Sequence, residues 1–496
     1  MSHHPPLPLG TWTEAVYRDQ ALDDYRGNPL IEALPPIRES KEIAANLTYR
    51  PAYDEGMRNL SPAERAHATE KVLSFIQPLS IHVDLAHRIS RLLRNGLMAR
   101  NPIRPEYRPN MERGLEAMRA RRSIAGPRAT GMVVAGLSGV GKTTGIEGVL
   151  GMDPQVMLHT AYAGRPFIHT QIVHLILQCP ANSSVRALCI NFFLSVDKLL
   201  GTDYEHRYVR YKATAEVLLS HMARIAAVHS IGVLVIDEIQ NLASARSGGE
   251  QVMLNFFSEL VNTIGVPVVL VGTPKAVDVL TRQFRHARRS TGQGDMFWDR
   301  MSVAAPEHEA EWSFFCERLW RYQFTKQATP LTTELRKALY EESQGITDVV
   351  VKLYMLAQLR AIQTGTDKIT VGHIRTVAHD SLRCIKPVLD ALRRNDRAFL
   401  AKADDVLSRG LKEIVLGARP LQAPILPAAT QPAAVPLEGP VMPPKAPPKP
   451  RSRRRRNVPA APQTLEAIVA AGRAAGTSPY DALKAAGIVA DDAPAA

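Results

Sequence analysis

One short run constrains this chain more than any other: Gly136-Leu-Ser-Gly-Val-Gly141-Lys142-Thr143. It follows the apolar residues 132–135 and opens a stretch with helical character. The chain must therefore place a strand, a tight glycine loop and a helix N-terminus in that order. Glycines let successive backbone N–H groups turn inward as an anion nest, and the helix dipole adds to the attraction. Lys142 then reaches the β- and γ-phosphates of a nucleotide, and the Thr143 hydroxyl binds Mg²⁺. The nucleotide contacts expected here are Gly136, Ser138, Gly139, Val140, Gly141, Lys142, Thr143 and Thr144, and the expected cofactors are ATP and Mg²⁺.

About 95 residues further on, Val-Leu-Val-Ile runs into Asp237 and Glu238. A buried strand that delivers an acid at its carboxyl end puts it beside the phosphate site. Asp237 is the expected Mg²⁺ ligand with Thr143, and Glu238 the group that orients or deprotonates the attacking water. A third apolar strand, residues 266–271, is followed by Gly272 and Thr273; Thr273 is the candidate γ-phosphate sensor. Arg282, Arg285, Arg288 and Arg289 come next, more arginines than one site needs in cis. In a ring or filament, one of Arg285, Arg288 and Arg289 would reach a neighbour's ATP and stabilise the transition-state charge in trans.

Around these motifs, β-rich runs at residues 132–136, 168–177, 232–236 and 266–272 alternate with helical stretches. That alternation is the mark of an α/β fold with a parallel sheet covered by helices. Before it, residues 28–37 (NPLIEALPPI) read as an extended arm, because their prolines forbid a long helix. Residues 62–98 read as helical, started by Ser61-Pro62. After Ala304 the strands stop, and residues 310–323, 331–343, 346–363, 370–380 and 384–409 read as successive helices. Residues 420–462 hold thirteen of the 36 prolines and the run RSRRRR, a composition that cannot form a core. The expected organisation is an N-terminal arm and helical region (1–110), a nucleotide-binding αβα domain (111–303) and an α-helical lid (304–417). A disordered linker (418–462) and a partner-binding peptide (463–496) follow.

Four scattered cysteines fit reduced thiols in a core rather than a disulfide framework. The histidine pairs His82/His87 and His169/His174 lack the carboxylates a metal site needs. No signal peptide is apparent, and no apolar run approaches the ~18–20 residues of a membrane span. A cytoplasmic protein without a membrane partner is expected.

The formal net charge of +13 is concentrated in two places. Residues 441–496 contribute +5 and residues 86–128, with eleven arginines and three glutamates, contribute +8. Localised basic segments point to nucleic acid. The first-choice contact is nevertheless residues 204–212, where Arg207, Arg210 and Lys212 interleave with aromatics. Segment 86–128 ranks second, and RSRRRR third.

Taken together, these motifs resemble AAA+ ATPases, and more specifically the TnsC/TniB branch, of the long TnsC type. The resemblance rests on residues 28–37, GLSGVGKTT at 136–144, LLGTDYEHRY at 199–208, LVIDEIQNL at 234–242 and RSGGEQVMLNFF at 246–257. It continues in GVPVVLVGTPKA at 265–276, RHARRSTGQGDMFWD at 285–299 and SQGITDVVVKLYMLAQLRA at 343–361, and it covers about residues 20–390. It implies an AAA+ P-loop sheet followed by an α-helical lid, and a bacterial ATP-dependent regulator of DNA transposition. Such a regulator forms homo-oligomeric rings or filaments on double-stranded DNA without sequence specificity. It meets a target-selection protein (TniQ/TnsD-like or TnsE-like) and contacts transposase subunits (TnsA/TnsB-like) through its C-terminal tail. The resemblance also marks one departure: the lid helix at 345–352 has Lys352 where a second sensor arginine is common, and a lysine offers only a point charge.

Overall fold

The computed structural model describes residues 12–120, 129–181, 184–209, 213–244, 249–274, 294–396 and 399. All of them belong to one compact unit, Met1–Pro424. The linker and C-terminal peptide expected at 418–496 lie outside the described residues.

Eight strands are present among the described residues: β1 (Trp12–Glu14), β2 (Met132–Gly136), β3 (Val156–Tyr162), β4 (Arg165–Ile172), β5 (His174–Gln178), β6 (Val233–Asp237), β7 (Val268–Gly272) and β8 (Met296–Trp298). Five form a sheet in the order β5-β6-β7-β2-β8, with every pairing parallel. The apolar strands are continuous because both faces are covered, as parallel sheets require. Along β6, Val233 and Val235 enter one core while Leu234 and Ile236 enter the other. On β7, Val269 and Val271 alternate in the same way with Val268 and Leu270. Helices Val185–Leu200, Ala215–Val228 and Gly249–Glu259 supply residues to the second core. The first core is shared by the helix Ser80–Met98, the P-loop helix Lys142–Leu150 and the C-terminal helices.

The run 168–177, read above as one strand, is two. It breaks at Val173: residues up to Ile172 pair antiparallel with β3 in a separate three-stranded sheet, and His174 onward joins β6. The sequence carries no turn residue at that point, because the chain changes sheets without reversing. β1 completes the small sheet, parallel to β3.

The arm at 28–37 is also corrected in part. Asn28 accepts a hydrogen bond from the Leu30 N–H at 3.1 Å and caps a single helical turn, Pro29–Glu32. An Asn cap followed by Pro at the first helical position is a start signal, and Ala33 keeps a helical backbone, so helix and turn give way only after Leu34. Leu30, Ile31 and Leu34 are buried, and the Asn28 amide donates to Leu97 O at 2.9 Å.

Residues 62–98 are helical in two pieces. Ser61 and Glu64 form a capping box that opens Pro62–Ala68, a 3-10 turn follows, and the helix Ser80–Met98 begins only after Pro78. The first piece packs on the lid: Arg65, 2% exposed, makes a paired contact with Asp367 and donates to Phe324 O at 3.3 Å.

The lid itself comprises Pro306–Leu319, Thr333–Ser343, Thr347–Gln363, Val371–Ser381 and Lys386–Arg393. Its starts and ends shift by a few residues from expectation, and the helix expected at 384–409 is corrected: Lys386–Arg393 ends at a turn, where Asn395 takes φ 53°. Cys179, Cys189 and Cys316 are buried as expected, whereas Cys384 is exposed. No helix among the described residues is long and apolar enough to cross a membrane.

Candidate nucleotide site

Three neighbouring strands, β2, β7 and β6, end side by side, and their carboxyl ends bring the motifs together. β2 runs into the loop through Gly136. Gly141, at φ 102°, occupies a left-handed conformation at the N-cap of Lys142–Leu150, which only glycine adopts readily. Ser138, Gly139, Gly141, Lys142, Thr143 and Thr144 line one cleft with Asp237, Glu238, Gln240, Gly272, Thr273 and Asp348. Its empty volume is ≈ 600 Å³. Val140 is buried beneath the loop instead, at 2% exposure.

Within the cleft, the Lys142 ammonium folds back and donates to the carbonyls of Gly136 at 2.7 Å and Leu137 at 2.8 Å. Thr143 Oγ1 donates to Asp237 Oδ2 at 2.7 Å. A hydroxyl and a carboxylate in contact, both hard oxygen donors beside a phosphate nest, are a donor set that suits Mg²⁺. The residues present therefore fit a Mg-nucleotide. Behind them, burial, together with the Asp237 charge, pushes the Glu147 carboxyl above its ordinary value.

Glu238 follows Asp237 with φ 57°, and its N–H donates to Asp237 Oδ1 at 2.7 Å. A non-glycine residue in the left-handed region stores roughly 1–3 kcal/mol of strain, a cost often found at functional positions. Glu238 lines the cleft, and its carboxylate accepts a hydrogen bond from the Gln240 amide. Cys179, at the end of β5, donates its N–H to Asp237 O at 2.8 Å. Burial, with the Glu238 charge adding, pushes the Cys179 thiol up to about 12, so it stays protonated. Across the cleft, Thr273 is 4% exposed, and its Oγ1 has no hydrogen-bond partner among the described residues.

The lid reaches the same place. Asp348 N–H donates to Gly139 O at 3.0 Å, and Thr347 Oγ1 donates to Val140 O at 3.4 Å. The first turn of Thr347–Gln363 is thus hydrogen-bonded to the phosphate loop itself. Lys352 does not line the cleft. Its Nζ donates to Oδ2 of Asp348, a residue that does line it, at 2.7 Å. Asp348 and Gln240 are cleft residues that the motifs did not single out.

The remaining expected contacts are elsewhere. Arg207 lies on the short helix Tyr204–Tyr208, exposed, paired with Asp203 at 2.7 Å and over the Tyr204 ring at 5.9 Å. Arg210 and Lys212 lie outside the described residues, as do Arg282, Arg285, Arg288 and Arg289. Within the basic segment 86–128, Arg94 and Arg100 are buried, at 4% and 2% exposure. Arg94 donates to Pro35 O at 2.6 Å and Arg100 to Ile231 O at 2.7 Å. These two guanidiniums are buried rather than part of an exposed basic face.

Residues 127–280 match the AAA domain family. With the strand order and the helical lid, the chain has the AAA+ fold, and the matched segment is an AAA-type ATPase domain. No curated protein matches the chain. Among solved structures, it is similar to the Aeropyrum pernix ORC1 protein in complex with DNA, at 14% identity and a TM-score of 0.36. That match covers 57% of this chain and 66% of the other, just under two thirds of its length. It is also similar to CDC6P from Pyrobaculum aerophilum, at 10% identity, 63% and 96% coverage and a TM-score of 0.35. The Aeropyrum pernix ORC2 protein matches at 12% identity, 64% and 95% coverage and a TM-score of 0.34. Likenesses this remote assign no function.

Proposed function

We propose that this chain is an ATP-hydrolysing regulator of DNA transposition, assembling as a homo-oligomer on duplex DNA and linking a target-selection protein to a transposase. The observation that carries the ATPase part is the convergence of Lys142, Thr143, Asp237, Glu238 and Thr273 on one cleft. The transposition part rests on the TnsC/TniB-like wording of residues 20–390.

In this reading, the loop N–H groups and Lys142 hold the phosphates, and Thr143 with Asp237 holds Mg²⁺. When bound, the metal neutralises phosphate charge. Glu238 accepts the proton of the attacking water, while Thr273 donates its hydroxyl to the γ-phosphate. Lys352 serves the phosphate only by exchanging its Asp348 partner for a phosphate oxygen, which couples nucleotide to the lid. An arginine among Arg285, Arg288 and Arg289 completes a neighbour's site. Arg207, with Arg210 and Lys212, tracks the DNA backbone. Phosphate contacts of this kind carry no sequence information. The tail beyond residue 417 docks the transposase, and the N-terminal arm meets the target-selection protein.

The test is electron microscopy of the full chain with plain duplex DNA, with and without a non-hydrolysable ATP analogue. Rings or filaments threaded by DNA, formed only with the analogue and dispersed by salt, are the expected result. DNA binding of equal strength without nucleotide contradicts the reading.

A further inference from the structure

Gln240 is given no role by the motif it sits in, yet it touches two of the groups assigned to hydrolysis. Glu238's positive φ turns the chain out of β6 into a 3-10 turn, Ile239–Ser244, which places Gln240 over the cleft. Its Nε2 donates to Glu238 Oε2, and its Oε1 accepts the backbone N–H of Thr273 at 3.2 Å. The next residue fixes the turn from the other side: Asn241 donates to Cys179 O, at the end of β5, at 2.9 Å. The 3-10 turn is thereby hydrogen-bonded to the strand ends on both sides of β6.

A primary amide can donate to a carboxylate and accept from a backbone N–H through one planar group. Asparagine has the same group on a stem one methylene shorter. The Gln240 amide therefore sets the spacing between the Glu238 carboxylate and the tip of β7. It engages one carboxylate oxygen, Oε2. On the far side of the same spacing lies the Thr273 hydroxyl, 96% buried and without a partner among the described residues.

We infer that Gln240 is a positioning residue for ATP hydrolysis, holding Glu238 and the tip of β7 in register so that the carboxylate and Thr273 face the same reacting phosphate. The inference rests on the reading of Glu238 as the base. It requires that Gln240 act on turnover through Glu238 and leave nucleotide binding alone, because the side-chain hydrogen bonds of Gln240 go to Glu238 and to the Thr273 backbone.

Gln240→Met keeps the length and removes both hydrogen bonds; Gln240→Glu keeps an acceptor for Thr273 N–H but sets a second carboxylate against Glu238. Both are compared with the wild-type full chain, alone and combined with Glu238→Gln, by steady-state kinetics and by calorimetric titration with an ATP analogue. A misplacement of about 1 Å in a reacting group costs up to roughly 100-fold, so a fall in kcat of at least about 10-fold is expected for Gln240→Met. Gln240→Glu should fall at least as far, with KM and analogue affinity within about 2-fold of wild type for both. On the Glu238→Gln background, neither change should lower the residual rate further. Unchanged kcat, a raised KM at constant kcat, or a further multiplicative loss on that background overturns the inference alone. Wild-type turnover in Glu238→Gln overturns both the inference and the assignment of Glu238.

Discussion

Replacing Lys142 by Met tests the phosphate-binding role of the loop. Methionine nearly matches the lysine stem, and Lys142 is only 8% exposed, so the side chain is substituted without opening a large cavity. Without nucleotide, the ammonium is held by the carbonyls of Gly136 and Leu137 at 2.7 and 2.8 Å. Hydrogen bonds from a charged donor are worth about 1.5–3 kcal/mol each, so releasing both costs roughly 3–6 kcal/mol. A phosphate charge about 4 Å away attracts the ammonium by ~4 kcal/mol at an effective dielectric of ~20, or ~8 kcal/mol for two such charges. The attraction wins, and the difference centres on about 3 kcal/mol, equivalent to roughly 100-fold in Kd. Calorimetric titration with a non-hydrolysable ATP analogue and Mg²⁺ reads this directly. The loss should be smaller for ADP, which brings less negative charge to the ammonium. A folded Lys142→Met protein that binds the analogue within about 2-fold of wild type would refute the reasoning, because the ammonium would then be serving only its own loop.

Three further outcomes follow from the same structure. Burial depresses His174 from 6.5 to about 4, and His82 and His169 also lie near 4. The unfolded chain therefore takes up protons first as pH falls, so stability held above pH 6.5 is lost between 6.5 and about 4. Each such histidine should cost about 2 kcal/mol between pH 7 and 5; urea unfolding of His174→Leu should show a correspondingly shallower pH dependence, and an unchanged slope would contradict the assignment. Gly345 has φ 73°, and a Cβ there would meet the Met301 carbonyl, so Gly345→Ala should destabilise by about 2–4 kcal/mol in thermal melts and disturb the lid contacts at Thr347 and Asp348. Arg207→Ala should weaken DNA binding evenly across sequences and reduce the salt slope by about one; a change confined to one sequence would assign it to base readout instead.

The strongest parts of the fold were legible because they obey local rules. The glycine loop, the apolar strand into Asp237 and the Ser61-Pro62 helix start each carry their own signal, and the helical lid shows in its periodicity. What escaped the reading depends on tertiary context. No turn or breaker residue at Val173 announces that the chain passes from one sheet to another. The three-residue strand β8 is too short for a periodic signal, and it forms because β2 offers it a partner. Arg94 and Arg100 look like surface charge in sequence and are core residues, each donating one hydrogen bond to a carbonyl of a distant segment. Gln240 reaches the cleft only because Glu238 takes a left-handed backbone, which few residues other than glycine adopt and which no local pattern reveals. Asp348 is likewise brought in by the docking of a lid helix about 200 residues beyond the loop it contacts.

The most direct measurement is steady-state ATP hydrolysis by the full chain, wild type against Glu238→Gln, with and without Mg²⁺ and duplex DNA. The expected result is Mg²⁺-dependent turnover in the wild type and a loss of about 100-fold or more in the variant, which still binds ATP and stays assembled on DNA. Turnover at the wild-type rate in Glu238→Gln, or ATP binding by the wild type without any hydrolysis, would contradict the account.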